Sequence, residues 1–370
     1  MHPRLLNFNP SPQLMESSKQ EAAADEQEEQ AAADFSYPPL FLQSNTNTNP
    51  TVPDPSPPES NTIGFDGGAA IDVPVFDLQS LDLTALGEAC RDWGLFRLIN
   101  HGIPPLVSVA IQGQAREILA LPFDEKAARL TRPGFFYFWG TPALTLKLKE
   151  INWLEGIHVP LGRLRSVGSA ADFDGFEDFG SLVDEYGQHM ARIARTLFNA
   201  MAIILKLDSD MFSSYLCEHD GTFRIYRYPK CATKSDYFAM EPHTDSSVLS
   251  IVNQDDVGGL QILQNGSWFD VKPVAGSLII NLGDIMQAIS DDEYKSVEHR
   301  VIVNRERERL SLCYFAFPAE DCLISSSRYM KFTYKEFKNQ VAEDIKASGG
   351  KLGLKRFKIN VQDEPSESDN

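Results

Sequence analysis

Glu241-Pro242-His243-Thr244-Asp245 opens a stretch that runs through Glu298-His299-Arg300 and closes on Arg309-Leu310-Ser311. Successive side chains of a strand point to opposite faces, so His243 and Asp245 share a face if a strand ends there. A third ligand must come from elsewhere in the fold, and His299 supplies it. Around these residues short apolar runs recur at 249–253, 260–263, 268–271, 278–282, 298–303 and 310–317. Gly258-Gly259, Asn265-Gly266, Pro273 and Gly283-Asp284 divide them. Short, evenly spaced strands with turn residues between them predict a mainly β chain with flanking helices (α+β) around a double-stranded β-helix, or jelly-roll, core. Asn265-Gly266 is the signal of a two-residue hairpin.

Two imidazoles and one carboxylate on one triangular face leave the other octahedral positions open, which is the donor set of a non-haem Fe(II) oxygenase. A structural zinc site would close four ligands, usually with thiolates, and no cysteine falls within this trio. Alone, a His-x-Asp pair is more often a surface hydrogen bond, and His299 would be a satisfied, partly buried histidine. The ordered set with Arg309-x-Ser311 outweighs those readings. Arg309 and Ser311, two apart, face the same way from one strand. A guanidinium fork beside a hydroxyl suits a distal carboxylate. The inferred co-substrate is a dicarboxylate that chelates the metal with its other end and leaves a position for O2.

Pro242-His243-Thr244-Asp245, Val257-Gly258-Gly259-Leu260-Gln261, Asn281-Leu282-Gly283-Asp284, Tyr294-Lys295-Ser296-Val297-Glu298-His299-Arg300-Val301 and Arg309-Leu310-Ser311 resemble the plant 2-oxoglutarate- and Fe(II)-dependent dioxygenases, over residues 71–360. The resemblance implies Fe(II) held by His243, Asp245 and His299, with 2-oxoglutarate, O2 and ascorbate as a supporting reductant. It implies no catalytic group beyond the metal ligands. The family pattern has Asn-x-Tyr where this chain has Tyr226-Arg227-Tyr228. Tyr228 matches the tyrosine that helps to hold 2-oxoglutarate, whereas Tyr226 departs from the asparagine and puts one polar contact in question. Trp139-Gly140-Thr141-Pro142 and Trp153-Leu154-Glu155-Gly156-Ile157-His158-Val159-Pro160 resemble gibberellin 2-oxidases that act on C20 gibberellins. That implies 2β-hydroxylation, and so inactivation, of a gibberellin or C20 precursor.

Residues 132–160 are dense in aromatics, among them Phe135, Phe136, Tyr137, Phe138, Trp139 and Trp153. Such density usually fills a core. The alternative places Phe138, Trp139 and Trp153 in the wall of an apolar substrate pocket. His101, beside Gly102 at a strand end, and His158 read as structural residues rather than ligands. Helices are expected over 81–93, 104–120 and 180–207. The last has Tyr186, Met190, Ile193, Ala194, Leu197, Met201 and Leu205 on one buried stripe. Thr333 and Glu336 form a capping box at the start of a C-terminal helix, with Phe332 and Phe337 as its hydrophobic staple.

A formal charge of −18 over 370 residues argues against unaided binding to nucleic acid or to an anionic membrane. Residues 1–70 hold ten acids against Arg4 and Lys19, and ten of the 22 prolines. So polar a segment has little apolar surface to offset its ordering entropy. The expected organisation is a disordered acidic, Pro-rich tail over 1–70, with at most a transient helix at 16–33. A helical and strand region over 71–215 then packs on a jelly-roll dioxygenase core at 216–332. A C-terminal helix and extension over 333–360 and a disordered acidic tail at 361–370 follow. Cys90, Cys217, Cys231, Cys313 and Cys322 lack CxxC spacing and suit reduced thiols. With no long apolar run and no signal or transit pattern, the chain is expected to be a cytoplasmic or nuclear monomer acting on a small molecule. Three readings compete: a related plant dioxygenase acting on a flavonoid, alkaloid or other hormone, a catalytically silent ligand-binding protein of the same fold, and a non-oxygenase cupin. Arg309-x-Ser311 disfavours the last.

Overall fold

The computed structural model describes residues 35–42, 68–132, 135–140, 152–162, 175–217, 221–231, 238–348 and 350–359. The helix weighed for 16–33, the Pro-rich run at 50–58, Thr141-Pro142 and the segment 361–370 lie outside the described residues. In chain order the first half supplies α1 (Pro39–Leu42), β1 (Val75–Asp77), α2 (Leu83–Asp92), β2 (Leu95–Ile99), α3 (Pro105–Leu119), α4 (Phe123–Arg129), β3 (Thr131–Arg132), β4 (Phe135–Trp139), β5 (Glu155–Pro160) and α5 (Glu177–Leu205). The second half supplies β6 (Thr222–Tyr228), β7 (Phe238–His243), β8 (Leu249–Gln254), β9 (Leu260–Gln264), β10 (Ser267–Asp270), β11 (Leu278–Leu282), α6 (Asp284–Ile289), β12 (His299–Ile302), β13 (Arg309–Ala316) and α7 (Tyr334–Ser348).

These strands form a larger sheet in the order β1-β2-β11-β8-β13-β6-β5-β4-β3 and a smaller one in the order β10-β9-β12-β7. Period-two alternation gives the larger sheet two different faces. On β6 and β13, Phe223, Ile225, Leu310, Leu312 and Tyr314 join the core that includes α2, α3 and α5. Tyr226, Tyr228 and Cys313 turn the other way and pack with Leu260, Ile262, Val297 and Val301 of the smaller-sheet side. The interior between the sheets therefore carries Tyr226 and Tyr228 of β6 with Arg309 and Ser311 of β13, while the helices pack on the outer face. This is the jelly-roll core with flanking helices.

Local sequence accounts for the element ends. The Asp82 side chain accepts from the N–H groups of Thr84 and Ala85 and caps α2. At α7, Glu336 Oε2 accepts from the Thr333 N–H (2.7 Å) and Thr333 Oγ1 accepts from the Glu336 N–H (3.2 Å). Phe332 stacks on Phe337 at 5.7 Å, completing the staple. Asn265 and Gly266 both have positive φ (51° and 78°), the requirement of the tight turn that pairs Gln264 with Ser267. The first strand begins at Val75, after Pro74, which has no N–H to donate.

Two features add to the expected organisation. The region 71–215 is not merely packed on the core: β2 pairs with β11 and β5 with β6, so it extends the larger sheet at both edges. Nor is the segment 1–70 uniformly a tail. Ser36, Tyr37 and Phe41 are buried, because Phe35-Ser36-Tyr37-Pro38-Pro39-Leu40-Phe41-Leu42 is an apolar island inside the polar stretch. Phe41 lies 4.1 Å from Trp153, ring centre to ring centre. The Ser36 carbonyl accepts from Lys126 Nζ at 2.6 Å, and Tyr37 Oη donates to Glu308 at 2.9 Å.

Below that segment sits a buried charge cluster. Glu155 pairs with Lys126 Nζ at 2.7 Å and with Arg227, its cross-strand neighbour, and also accepts from Tyr137. Burial pulls the Lys126 ammonium down to about 8, against the opposing pull of Glu155. Glu155→Ala would leave two buried cations without their shared counter-charge. The expected loss of stability is about 3–5 kcal/mol, read as a lower urea midpoint with an unchanged slope. No helix among the described residues is long and apolar enough to cross a membrane.

Candidate metal centre

Antiparallel pairing of β7 with β12 places His243 directly opposite His299, with ring centres 4.3 Å apart. The strand stops at His243, so Asp245 is aimed by its partners rather than by strand period. Its Oδ2 accepts from Ser250 Oγ (2.6 Å) and Asn281 Nδ2 (2.7 Å), and its backbone carbonyl accepts from the Asp284 N–H at 2.8 Å. Oδ1 is left facing the imidazoles, 3.8 Å from His243 Nε2 and 3.8 Å from His299 Nε2. The ligand atoms of the three residues all lie within 4.8 Å of one another.

The second ring nitrogens set the tautomers. Nδ1 of His243 contacts the Glu241 carbonyl at 2.7 Å, and Nδ1 of His299 contacts the Val297 carbonyl at 3.2 Å. A carbonyl only accepts, so each Nδ1 carries the proton and each Nε2 presents a lone pair. Burial, then His299, push His243 down to about 3, which keeps it a neutral donor. Burial pushes Asp245 up, but His299, His243, Ser250 and Lys351 outweigh it and hold the carboxyl at about 2. Two imidazole nitrogens and one anionic oxygen are thus aimed at one point. That donor set suits Fe(II).

Arg309 pairs across strands with Tyr228, and Ser311 with Tyr226. The Arg309 guanidinium is 4.8 Å from the centre of the Tyr228 ring, and Nη2 donates to Gln254 Oε1 at 3.0 Å. Its Nε and Nη1 are buried and have no hydrogen-bond partner among the described residues. Ser311 Oγ lies 3.5 Å from the Tyr228 hydroxyl. Orphaned N–H groups on a buried cation, flanked by two hydroxyls, fit a bound carboxylate.

The other residues singled out in the sequence separate. Phe138 meets Tyr226 edge-on at 5.9 Å, on the interior side. Trp139 packs against both the helix-side core and the cluster of Tyr37, Phe41, Trp153 and Cys231. Trp153, 5 % exposed, belongs to that cluster, covered by Phe41. His101 contacts the Gly276 carbonyl, and His158 accepts from Arg224 Nε at 3.0 Å. Tyr226 accepts from Arg224 Nη1 at 3.2 Å and stacks on Tyr228 at 6.0 Å. Sequence reasoning gave no role to Ser250, Asn281 or Gln254. Asn281 stands inside a quoted motif, and Gln254 pairs with Ser311 in register, but Ser250 carries no signal of its own.

Residues 215–318 match the model of the 2OG-Fe(II) oxygenase superfamily, and residues 73–161 match that of the non-haem dioxygenase in morphine synthesis N-terminal region. The chain is 34 % identical over 327 residues to gibberellin 2-beta-dioxygenase 6 of Oryza sativa subsp. japonica, covering 82 % of this chain and 89 % of the relative. It is 37 % identical over 281 residues to gibberellin 2-beta-dioxygenase 8 of Arabidopsis thaliana, covering 75 % and 81 %. The crystal structure of JOX2 in complex with 2OG, Fe and JA matches with a TM-score of 0.72 at 25 % identity, covering 88 % of this chain and 99 % of that one.

Proposed function

The chain belongs to the 2OG-Fe(II) oxygenase superfamily, and we propose that its substrate is a gibberellin or C20 gibberellin precursor, hydroxylated at the 2β position. It is a 2-oxoglutarate-dependent dioxygenase. The observation that carries the site reading is the convergence of His243, Asp245 and His299 within 4.8 Å. The substrate reading is supported by the gibberellin 2-beta-dioxygenases among its relatives.

In this reading His243, Asp245 and His299 hold Fe(II). The bound metal supplies O2 activation coupled to oxidative decarboxylation of 2-oxoglutarate, giving succinate, CO2 and a hydroxylated C–H bond. The residues supply binding and orientation. Asp245 provides the negative charge, and Ser250 and Asn281 keep its second oxygen occupied so that Oδ1 stays turned inward. The Nδ1 hydrogen bonds fix the imidazole planes. Arg309, Ser311 and Tyr228 receive the far carboxylate of 2-oxoglutarate, whose arrival satisfies the orphaned Nε and Nη1. Phe138, beside Tyr226 on the interior side, presents apolar surface to a carbocyclic substrate and excludes water, whereas Trp139 and Trp153 pack away from it in the cluster covered by Phe41.

A turnover panel of gibberellins, followed by mass spectrometry, tests the substrate. The expected product gains one oxygen atom and depends on Fe(II) and 2-oxoglutarate. Succinate release without an oxygenated gibberellin would favour a related dioxygenase acting on another metabolite. Absence of any Fe(II)-dependent succinate would favour a silent binding protein.

A further inference from the structure

The segment after α7 reaches back to the loop that joins two of the three candidate ligands. Lys351 Nζ donates to the carbonyl of Thr244, which lies between His243 and Asp245. It also donates to Ser246 Oγ at 3.0 Å and lies 2.9 Å from Asp284 Oδ2. The lysine side chain is 11 % exposed and that of Asp284 5 %. Asp284 matters twice here. Its N–H holds the Asp245 carbonyl, and its Oδ1 accepts from Ser296 Oγ at 2.9 Å, three residues before His299.

Close approach makes this junction stiff. A Cβ on Gly283 would meet the Ser247 carbonyl oxygen at 2.0 Å, so only glycine lets the end of β11 lie against the ligand loop. The lysine is itself delivered by a built structure. Buried Asp344 accepts from the Leu352 N–H at 3.2 Å and from Arg356 Nε at 2.7 Å, which fixes the turn that carries Lys351.

Resting on the reading that the trio holds a metal, we propose that Lys351 is a positioning residue for that centre: its ammonium ties the 244–246 loop to Asp284 and so holds the Asp245 carboxylate in register with the two imidazoles. Lys351 touches no ligand side chain directly. Its effect runs through the Thr244 carbonyl and the Asp284 backbone. A lysine that merely docked the C-terminal segment would matter to the stability of the fold but not to affinity for the ion.

The test is calorimetric titration of the metal-free full-length protein with Co(II), beside a circular-dichroism melt of each metal-free form. Lys351→Met is expected to keep a cooperative melt and to bind Co(II) about 10- to 100-fold more weakly, the usual effect of losing a partner that orients a ligand. Lys351→Arg, which keeps charge and reach, recovers most of the affinity. Arg356→Met loosens the turn without removing the lysine, and is expected to lower the melting temperature while costing clearly less Co(II) affinity than Lys351→Met does. Unchanged Co(II) affinity in Lys351→Met would overturn the proposal. So would an equal loss in Arg356→Met, or failure of Lys351→Met to fold, since each assigns the lysine to the fold at large. Failure of the wild-type protein to bind Co(II) would instead retire the metal reading beneath it.

Discussion

Asp245→Ala will lose Fe(II)-dependent succinate formation to assay background, while the protein stays folded. The substitution removes the only carboxylate of the trio and leaves two imidazoles, a set with less hold on a divalent ion. It also leaves Ser250 Oγ and Asn281 Nδ2 without the oxygen they share. A loss of at least about three orders of magnitude is expected, corresponding to about 4 kcal/mol of barrier. Asp245→Glu should fail nearly as completely, because the added methylene moves the oxygen off the 3.8 Å positions it holds relative to both imidazoles. Succinate formation measured with Fe(II) in excess separates weak loading from inactivity: recovery at high Fe(II) would mean that the imidazoles alone place the ion.

Arg309→Met will abolish saturation by 2-oxoglutarate without destabilising the free protein. The guanidinium is buried, with Nε and Nη1 unpaired among the described residues, and an unpaired buried cation costs stability rather than adding to it. A methionine of similar length removes that cost. Binding should suffer by about 2–5 kcal/mol, the effect of deleting one side of a desolvated hydrogen-bonded charge pair. This appears as a rise of between about 30-fold and a few thousandfold in the KM for 2-oxoglutarate. Arg309→Lys should recover only part of it, since an ammonium cannot reproduce the planar fork. The melting temperature of the metal-loaded wild-type protein should rise with added 2-oxoglutarate, and that of Arg309→Met should not. A variant that melts well below wild type in the free state would show that the guanidinium serves the fold instead.

Much of this architecture was legible because strand alternation and turn chemistry are local signals. The runs read at 249–253, 278–282 and 310–317 became β8, β11 and β13 within a residue or two, and the two-residue turn at Asn265-Gly266 and the Thr333–Glu336 cap appeared as read. The convergence of the three side chains was legible by residue type, but strand period does not aim Asp245: β7 ends before it, and hydrogen bonds from Ser250 and Asn281 do the aiming. Contacts between distant segments left no periodic trace. Nothing in the spacing of Lys351 points to Thr244, 107 residues earlier. Nothing in a polar N-terminal stretch announces that Ser36 will cap Lys126 and Arg227. Composition averaged over 70 residues concealed an eight-residue apolar island. The aromatic run over 135–139 was ambiguous for another reason: alternation sends Phe138 toward Tyr226 and Tyr137 toward Glu155, so one strand serves both the interior and the helix-side core.

The most direct measurement is a crystal structure of the full chain grown anaerobically with Fe(II) and 2-oxoglutarate, with anomalous scattering collected at the iron edge. One anomalous peak is expected, about 2.0–2.2 Å from Nε2 of His243, Oδ1 of Asp245 and Nε2 of His299, as for nitrogen and oxygen ligands of a first-row metal. The far carboxylate of 2-oxoglutarate should lie on the Arg309 fork beside Ser311. An anomalous peak elsewhere, or 2-oxoglutarate bound with its far carboxylate away from Arg309, would contradict the account.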